Sequence, residues 1–275
     1  MRWILQNGCV QKRSLQHRHE GVRGFRFAIS TKPQSVNVQP LKPFQPMNAS
    51  LTRYWPVGTV YGILLNFQRE RDLLAAQMAQ APYKAPPNAP VLYVKTANTW
   101  SASGASVPVP HTAPQIEVGA TIGMTIGAPS ALAAGTAPVQ RVASYVLMND
   151  FSIPHASFFR PPVKFKCLDG FLGIGAQVVN TDLAGDPALF KLEVRINGEL
   201  KQAIDFSQTV RSAAQLLADV SEFMTLREGD VLLLGCDCLP GGGRPLAQAG
   251  DQIDISSPSH PALGRLTSTL VKEAT

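Results

Sequence analysis

Phe190–Phe206 reads FKLEVRINGELKQAIDF. Phe190, Leu192, Val194 and Ile196 alternate with Lys191, Glu193 and Arg195, the period of a strand with one buried face. Asn197-Gly198 follows, and a tight two-residue hairpin turn needs positive φ at both positions, which Asn and Gly adopt most easily. Leu200–Phe206 then returns antiparallel, so the segment predicts a β-hairpin. Outward from it, Gly58–Leu65, Val91–Val94, Ala120–Ile126, Ser144–Met148, Val231–Leu234 and Gln252–Ile255 are short apolar runs of strand length. Gly229-Asp230 and Gly250-Asp251 precede the last two as turn devices. Helical spacing is confined to two segments. Glu70–Ala79 places Leu73, Leu74 and Met78 on one side, and Gln208–Phe223 carries a stripe of Val210, Ala214, Leu217 and Val220 behind a Ser207 cap. Many strands and few helices predict a β-rich domain, a mixed roll or sandwich with a few short helices.

The chain has 275 residues and a formal net charge of +6. That charge is unevenly spread. Residues 1–53 hold nine Lys/Arg and one acid, a surplus of eight, and residues 54–275 hold sixteen Lys/Arg and eighteen acids, a deficit of two. The first stretch lacks a sustained hydrophobic period and predicts a disordered basic extension, superficially like a transit peptide, with Met47 as a candidate initiator. The domain is expected over 54–275. It is near neutral, which argues against a nucleic-acid groove. No apolar run approaches the ~18 residues of a membrane helix. Cys9, Cys167, Cys236 and Cys238 form no paired framework, which points to a reduced, cytoplasmic setting. Cys236-x-Cys238 lacks nearby partners for a tetrahedral metal clip.

Met148–Gly175, MNDFSIPHASFFRPPVKFKCLDGFLGIG, concentrates polar groups between apolar runs, as a built site or a set of turns requires. Read as extended, it puts Lys164 and Lys166 on one side of a strand, where either can meet a substrate carboxylate. Arg160 suits a bidentate carboxylate clamp. His155 is either an acid–base group or a solvated loop histidine. Gly241-Gly242-Gly243-Arg244 lacks the GK[ST] ending and the strand–loop–helix setting of a phosphate loop, and reads as a hairpin connection.

Several pieces together resemble the fumarylacetoacetate hydrolase family. Pro82-Tyr83-Lys84-Ala85-Pro86-Pro87, Val94-Lys95-Thr96-Ala97-Asn98-Thr99, Asn149-Asp150-x-Ser152, Ser157-Phe158-Phe159-Arg160-Pro161, Lys166-Cys167-x-Asp169-Gly170-Phe171 and Gly229-Asp230-x-x-Leu233-Leu234-Gly235 occur in the family's order, over about residues 57–275. Within the family the likeness is greatest to the N-terminal half, or separate N-terminal subunit, of two-halved isomerase/decarboxylases of 4-hydroxyphenylacetate breakdown.

The resemblance implies a β-roll or sandwich catalytic domain. It also implies Mg²⁺ or Mn²⁺ held by a Glu-x-Glu pair and the Asp of NDxS, a site lysine, and a His/Glu dyad for proton transfer. Asp150 and Lys166 match. The Glu-x-Glu position falls on Gly119-Ala120-Thr121, so Gly119 and Thr121 stand where carboxylates are expected; Glu117, two residues earlier, keeps the same strand face. Glu70 holds the dyad's histidine position and Leu73 its glutamate position. The site so implied has Lys166 and Glu70 as catalytic groups, Arg160, Lys164 and Lys166 as substrate-binding groups, and Asp150 as a metal ligand, with the Mg²⁺ or Mn²⁺ held either here or only by a partner chain. The implied function is a decarboxylase/isomerase unit acting on 5-carboxymethyl-2-oxo-hex-3-ene-1,7-dioate or its isomer, in a homo- or hetero-oligomer with a metal-bearing homologous subunit. The alternatives are a metal-free pseudo-enzyme that stabilises such an assembly, and an enzyme for another small 2-oxo di- or tricarboxylate.

Overall fold

The computed structural model describes residues 53–81, 84–128, 141–155 and 162–274. Residues 1–52 with Met47, the Pro82-Tyr83 pair and Arg160 lie outside the described residues. In chain order the strands are β1 (Val60–Leu64), β2 (Val91–Lys95), β3 (Trp100–Ala102), β4 (Ala105–Val109), β5 (Ile116–Glu117), β6 (Ala120–Ile126) and β7 (Val142–Asp150). They continue as β8 (Leu172–Asn180), β9 (Lys191–Ile196), β10 (Glu199–Asp205), β11 (Val231–Leu233), β12 (Leu246–Ala247), β13 (Gln252–Ser256) and β14 (Arg265–Lys272). The α-helices are α1 (Gln68–Met78), α2 (Val163–Lys166), α3 (Thr181–Ala184) and α4 (Ala213–Ser221).

Seven strands form one mixed sheet in the order β2-β1-β11-β6-β7-β8-β3, five form a second in the order β10-β9-β13-β14-β4, and β12 with β5 makes a small ribbon. The two large sheets share a core in which Ile122, Met124 and Leu147 of the first meet Leu192, Val194, Ile253 and Ile255 of the second. The opposite face of the first sheet is buried as well, through Val60, Val146, Met148, Val231 and Leu233. Burial on both faces is why β6, β7 and β11 read as nearly unbroken apolar runs, whereas β9 and β13, wet on one face, alternate. The β-rich sandwich expected from the sequence is the observed architecture.

The hairpin is as read. Asn197 and Gly198 both have positive φ, +53° and +82°, and Ile196 pairs with Glu199. The second helix differs. It begins at Ala213, where the Ser212 hydroxyl accepts the Gln215 amide hydrogen at 3.2 Å. The expected first turn is not helical: Thr209 is extended and bridged to Phe67, and the Val210 N–H donates to Asn66 O at 2.8 Å. The buried stripe is therefore Leu216 and Val220, and the helix is capped by Ser212, not Ser207. On α1, Met78 is buried but Leu73 is half exposed. The strands that were missed have weak patterns for physical reasons. In β8, Gly173 and Gly175 lie so close to Asn149 and Leu147 that an added Cβ would sit 3.2 and 3.0 Å from them. In β14, Ser268 occupies an inner position between Leu266 and Leu270 and interrupts the apolar alternation. Val163–Lys166 is one helical turn, not a strand, with the Lys166 N–H donating to Pro162 O at 2.8 Å. Residues two apart then face opposite ways. Lys166 is buried and Lys164 is exposed.

Candidate active site

β7 delivers Asp150 to the end of the first sheet, fully buried. Ala120 pairs with Asn149, which sets Gly119 against Asp150, whose N–H donates to Gly119 O at 2.8 Å. Two lysines close on the carboxylate. Lys95, the last residue of β2, places Nζ 2.8 Å from Oδ1, an ion pair without hydrogen-bond alignment, and Lys166, the last residue of α2, places Nζ 2.7 Å from Oδ2. The Tyr93 hydroxyl also donates to Oδ2. Lys95 Nζ donates in addition to Phe151 O at 3.3 Å and to Lys166 O. Burial opposes ionisation of Asp150, but the Lys166 and Lys95 ammoniums outweigh it and hold its carboxyl well below the usual range. Burial also pulls Lys95 below its ordinary value, against the pull of Asp150. Burial and the neighbouring Asp150 raise Tyr93, so its phenol stays neutral.

A second ionic group lies beside the first. Arg244 Nη2 donates to Glu70 Oε1 at 3.1 Å, and Nη1 to Glu117 Oε2 at 3.4 Å. Burial opposes the guanidinium charge, but Glu70 and the other negative groups around it raise Arg244 further. Glu70 Oε2 accepts the Leu65 N–H at 3.2 Å, and Leu65 sits in the left-handed region at φ +59°. A non-glycine residue held there costs about 1–3 kcal/mol, so the surrounding packing must impose it. Three cations (Lys95, Lys166, Arg244) face three carboxylates (Asp150, Glu70, Glu117), and the formal charges cancel.

Glu70, Glu117, His155, Lys166 and Arg244 line a cleft of about 130 Å³, with Leu73 and Leu74 as an apolar wall. The structure thus unites three of the sequence-predicted site residues, Asp150, Lys166 and Glu70. Lys164 does not line this cleft, because the helical turn directs it away. Glu117 does face inward, as its strand parity suggested, but its partner is Arg244. The sequence alone does not single out Lys95, Tyr93 or Arg244 as site residues. A charged residue ending an apolar strand, as in VLYVK, was the available signal for Lys95. The sequence places Arg244 in a hairpin connection; the Gly242–Gly243 turn is there, with the Leu239 N–H on Gly243 O at 2.9 Å, but the Arg244 side chain turns inward to Glu70 and Glu117.

The residues at the expected metal position do not fit a divalent cation. Both oxygens of Asp150 are engaged by ammonium groups. Thr121 Oγ1 donates to Gly235 O at 2.5 Å. A Cβ at Gly119 would lie 2.4 Å from Asp150 O and 3.1 Å from Cys236 Sγ, so this backbone has no room for a carboxylate there. Among the described residues, no group of three or more His, Cys, Asp or Glu is arranged to hold a metal. A divalent ion added to a charge-balanced cluster would leave it two charges in surplus. The countercharge that a metal would give Asp150 is built into the chain as Lys95. Burial and the nearby Asp150 push the Cys236 thiol up to about 12 and burial pushes Cys238 up to about 11, so both are neutral thiols rather than metal-binding thiolates.

The fumarylacetoacetate (FAA) hydrolase C-terminal family model matches residues 59–271. The chain belongs to the fumarylacetoacetate hydrolase family. One family relative, the 4-hydroxyphenylacetate degradation bifunctional isomerase/decarboxylase of Escherichia coli, is 33% identical over 206 residues, which is 75% of this chain and 46% of the relative. The chain therefore spans about half the length of the curated relatives it matches first. Among solved family structures, fumarylpyruvate hydrolase from Pseudomonas aeruginosa, in complex with Mn²⁺ and pyruvate, aligns with a TM-score of 0.62 at 21% identity, covering 85% of this chain and 100% of that one. The 5-carboxymethyl-2-hydroxymuconate delta-isomerase from Mycobacterium smegmatis aligns with a TM-score of 0.57 at 21% identity, covering 79% and 80%. At these identities the alignments establish the fold.

Proposed function

We propose that the chain is the isomerase unit of a cytoplasmic isomerase/decarboxylase pair. It would catalyse proton transfer on 5-carboxymethyl-2-oxo-hex-3-ene-1,7-dioate or its isomer in 4-hydroxyphenylacetate catabolism, beside a metal-bearing homologous subunit to which decarboxylation falls. The observation that carries this reading is Lys166, whose ammonium is anchored by a buried aspartate and lines the same cleft as Glu70 and Arg244. A double-bond shift next to a 2-oxo group passes through an enolate, and its new charge sits on the C2 oxygen. An ammonium already fixed and desolvated stabilises that charge without reorganising. Glu70, oriented by Arg244 and the Leu65 N–H, serves as one proton carrier. The likeness to a two-activity relative of about twice the length supports the division of labour.

The test assays the purified chain alone and mixed with the metal-bearing subunit, following diene absorbance for isomerisation and released CO₂ for decarboxylation. Isomerisation by the chain alone, and CO₂ only from the mixture, is the expected result. A chain that neither isomerises nor alters its partner's rates has a purely structural place in the assembly, and the proposal fails.

A further inference from the structure

We infer that His155 is a second proton carrier of this cleft, acting through Nε2 on the carbon next to the 2-oxo group of a small dicarboxylate. The inference rests on the proposed function and adds to it a residue from a different element than Glu70. His155 follows β7 and is half-buried at the cleft. Its ring stacks on Phe165 of α2, centroids 4.6 Å apart and planes 8° apart, which fixes the plane of the imidazole. Its Nδ1 lies 2.9 Å from Ile153 O and 3.4 Å from Ser152 Oγ. A carbonyl oxygen only accepts, so Nδ1 carries a hydrogen, and in the neutral ring the lone pair is then on Nε2. Nε2 has no hydrogen-bond partner among the described residues. Both oxygens of Glu70, by contrast, already accept hydrogen bonds, from Leu65 and Arg244. The cleft thus holds an oriented, unpartnered base together with a fixed ammonium, alongside the charged groups Glu70, Glu117 and Arg244.

In the step proposed, Nε2 takes the proton from C3. The C3–H electron pair moves into a C2–C3 double bond, and the C2=O π pair moves onto oxygen, opposite Lys166. Return of the proton from the imidazolium to carbon restores the ketone and a neutral histidine. No oxidant or co-reactant is needed.

The test follows exchange of the C3 protons of 2-oxoglutarate in D₂O by NMR, using the full chain. Wild type is expected to exchange them, His155→Gln to slow exchange at least 100-fold with little change in KM, and His155→Ala to regain rate with added imidazole but not with added acetate. Wild-type exchange with His155→Gln equally fast overturns the role of His155 and leaves the proposed function standing. So does a His155→Ala variant, folded by circular dichroism, that is slow and indifferent to imidazole. A wild type that exchanges nothing overturns the proposed function, and the role of His155 with it.

Discussion

Asp150→Asn is expected to lower the unfolding free energy by about 3–5 kcal/mol, the size of loss found when one partner of a buried ion pair is removed and its counter-charge stays behind. The substitution keeps the side chain's volume but not its charge. Lys95 and Lys166, both essentially inaccessible to water, would then share a cavity with no anion between them. Lys95→Met is expected to cost less, because the pair Asp150–Lys166 survives and the methionine fills much of the same space. The double variant Asp150→Asn/Lys95→Met should recover part of the loss, since it removes one of the two stranded cations. Urea denaturation at pH 7 is the measurement. The carboxyl's folded-state value is lowered, so its stabilisation is fully present above the unfolded value of about 4 and is lost only as pH falls through the lower folded value. An Asp150→Asn variant within about 0.5 kcal/mol of wild type would mean that the charges are not held together as described.

Lys166→Met is expected to reduce proton-transfer turnover by about 100- to 1000-fold, the usual effect of deleting one preorganised group at a developing oxyanion. Its structural cost should be the smaller part. Asp150 keeps Lys95 at 2.8 Å and the Tyr93 hydroxyl, so the buried carboxylate is not stranded. Two readouts separate the effects: near-ultraviolet circular dichroism for the packing, and kcat for isomerisation. A native-like spectrum with turnover lost assigns the chemistry to Lys166. Native-like structure with unchanged turnover removes it from the reaction and takes the proposed enolate stabilisation with it.

The fold was legible where one physical requirement dominated. The hairpin at Asn197-Gly198 needs positive φ twice, and the alternation through β9 follows from one wet face. Legibility failed where tertiary contacts decide. Phe67 and Asn66 hold Thr209 and Val210 out of the helix and delay α4, although the residues before Ala213 have helical spacing. Lys164 and Lys166 looked like strand neighbours because residues two apart share a face only in extended chain, and Val163–Lys166 is helical. The site followed the same rule. Asp150, Lys166 and Glu70 were found through motif likeness, whereas Lys95 and Arg244 matter because of where distant segments bring them. Arg244 reaches Glu70 across 174 positions of sequence, and no local pattern encodes that.

On the proposed function, this family member transfers protons at its own cleft, with Lys95 the fixed countercharge to Asp150 where the family resemblance implies a divalent metal. The most direct measurement is C3 exchange of 2-oxoglutarate in D₂O by chain stripped with EDTA, with residual Mg and Mn determined by mass spectrometry and Mn²⁺ titrated in afterwards under electron paramagnetic resonance. Exchange at the untreated rate with substoichiometric metal, and no saturable Mn²⁺ signal at one equivalent, is the expected result. Exchange abolished by EDTA and restored by one bound Mn²⁺, with that binding lost in Asp150→Asn, would contradict it.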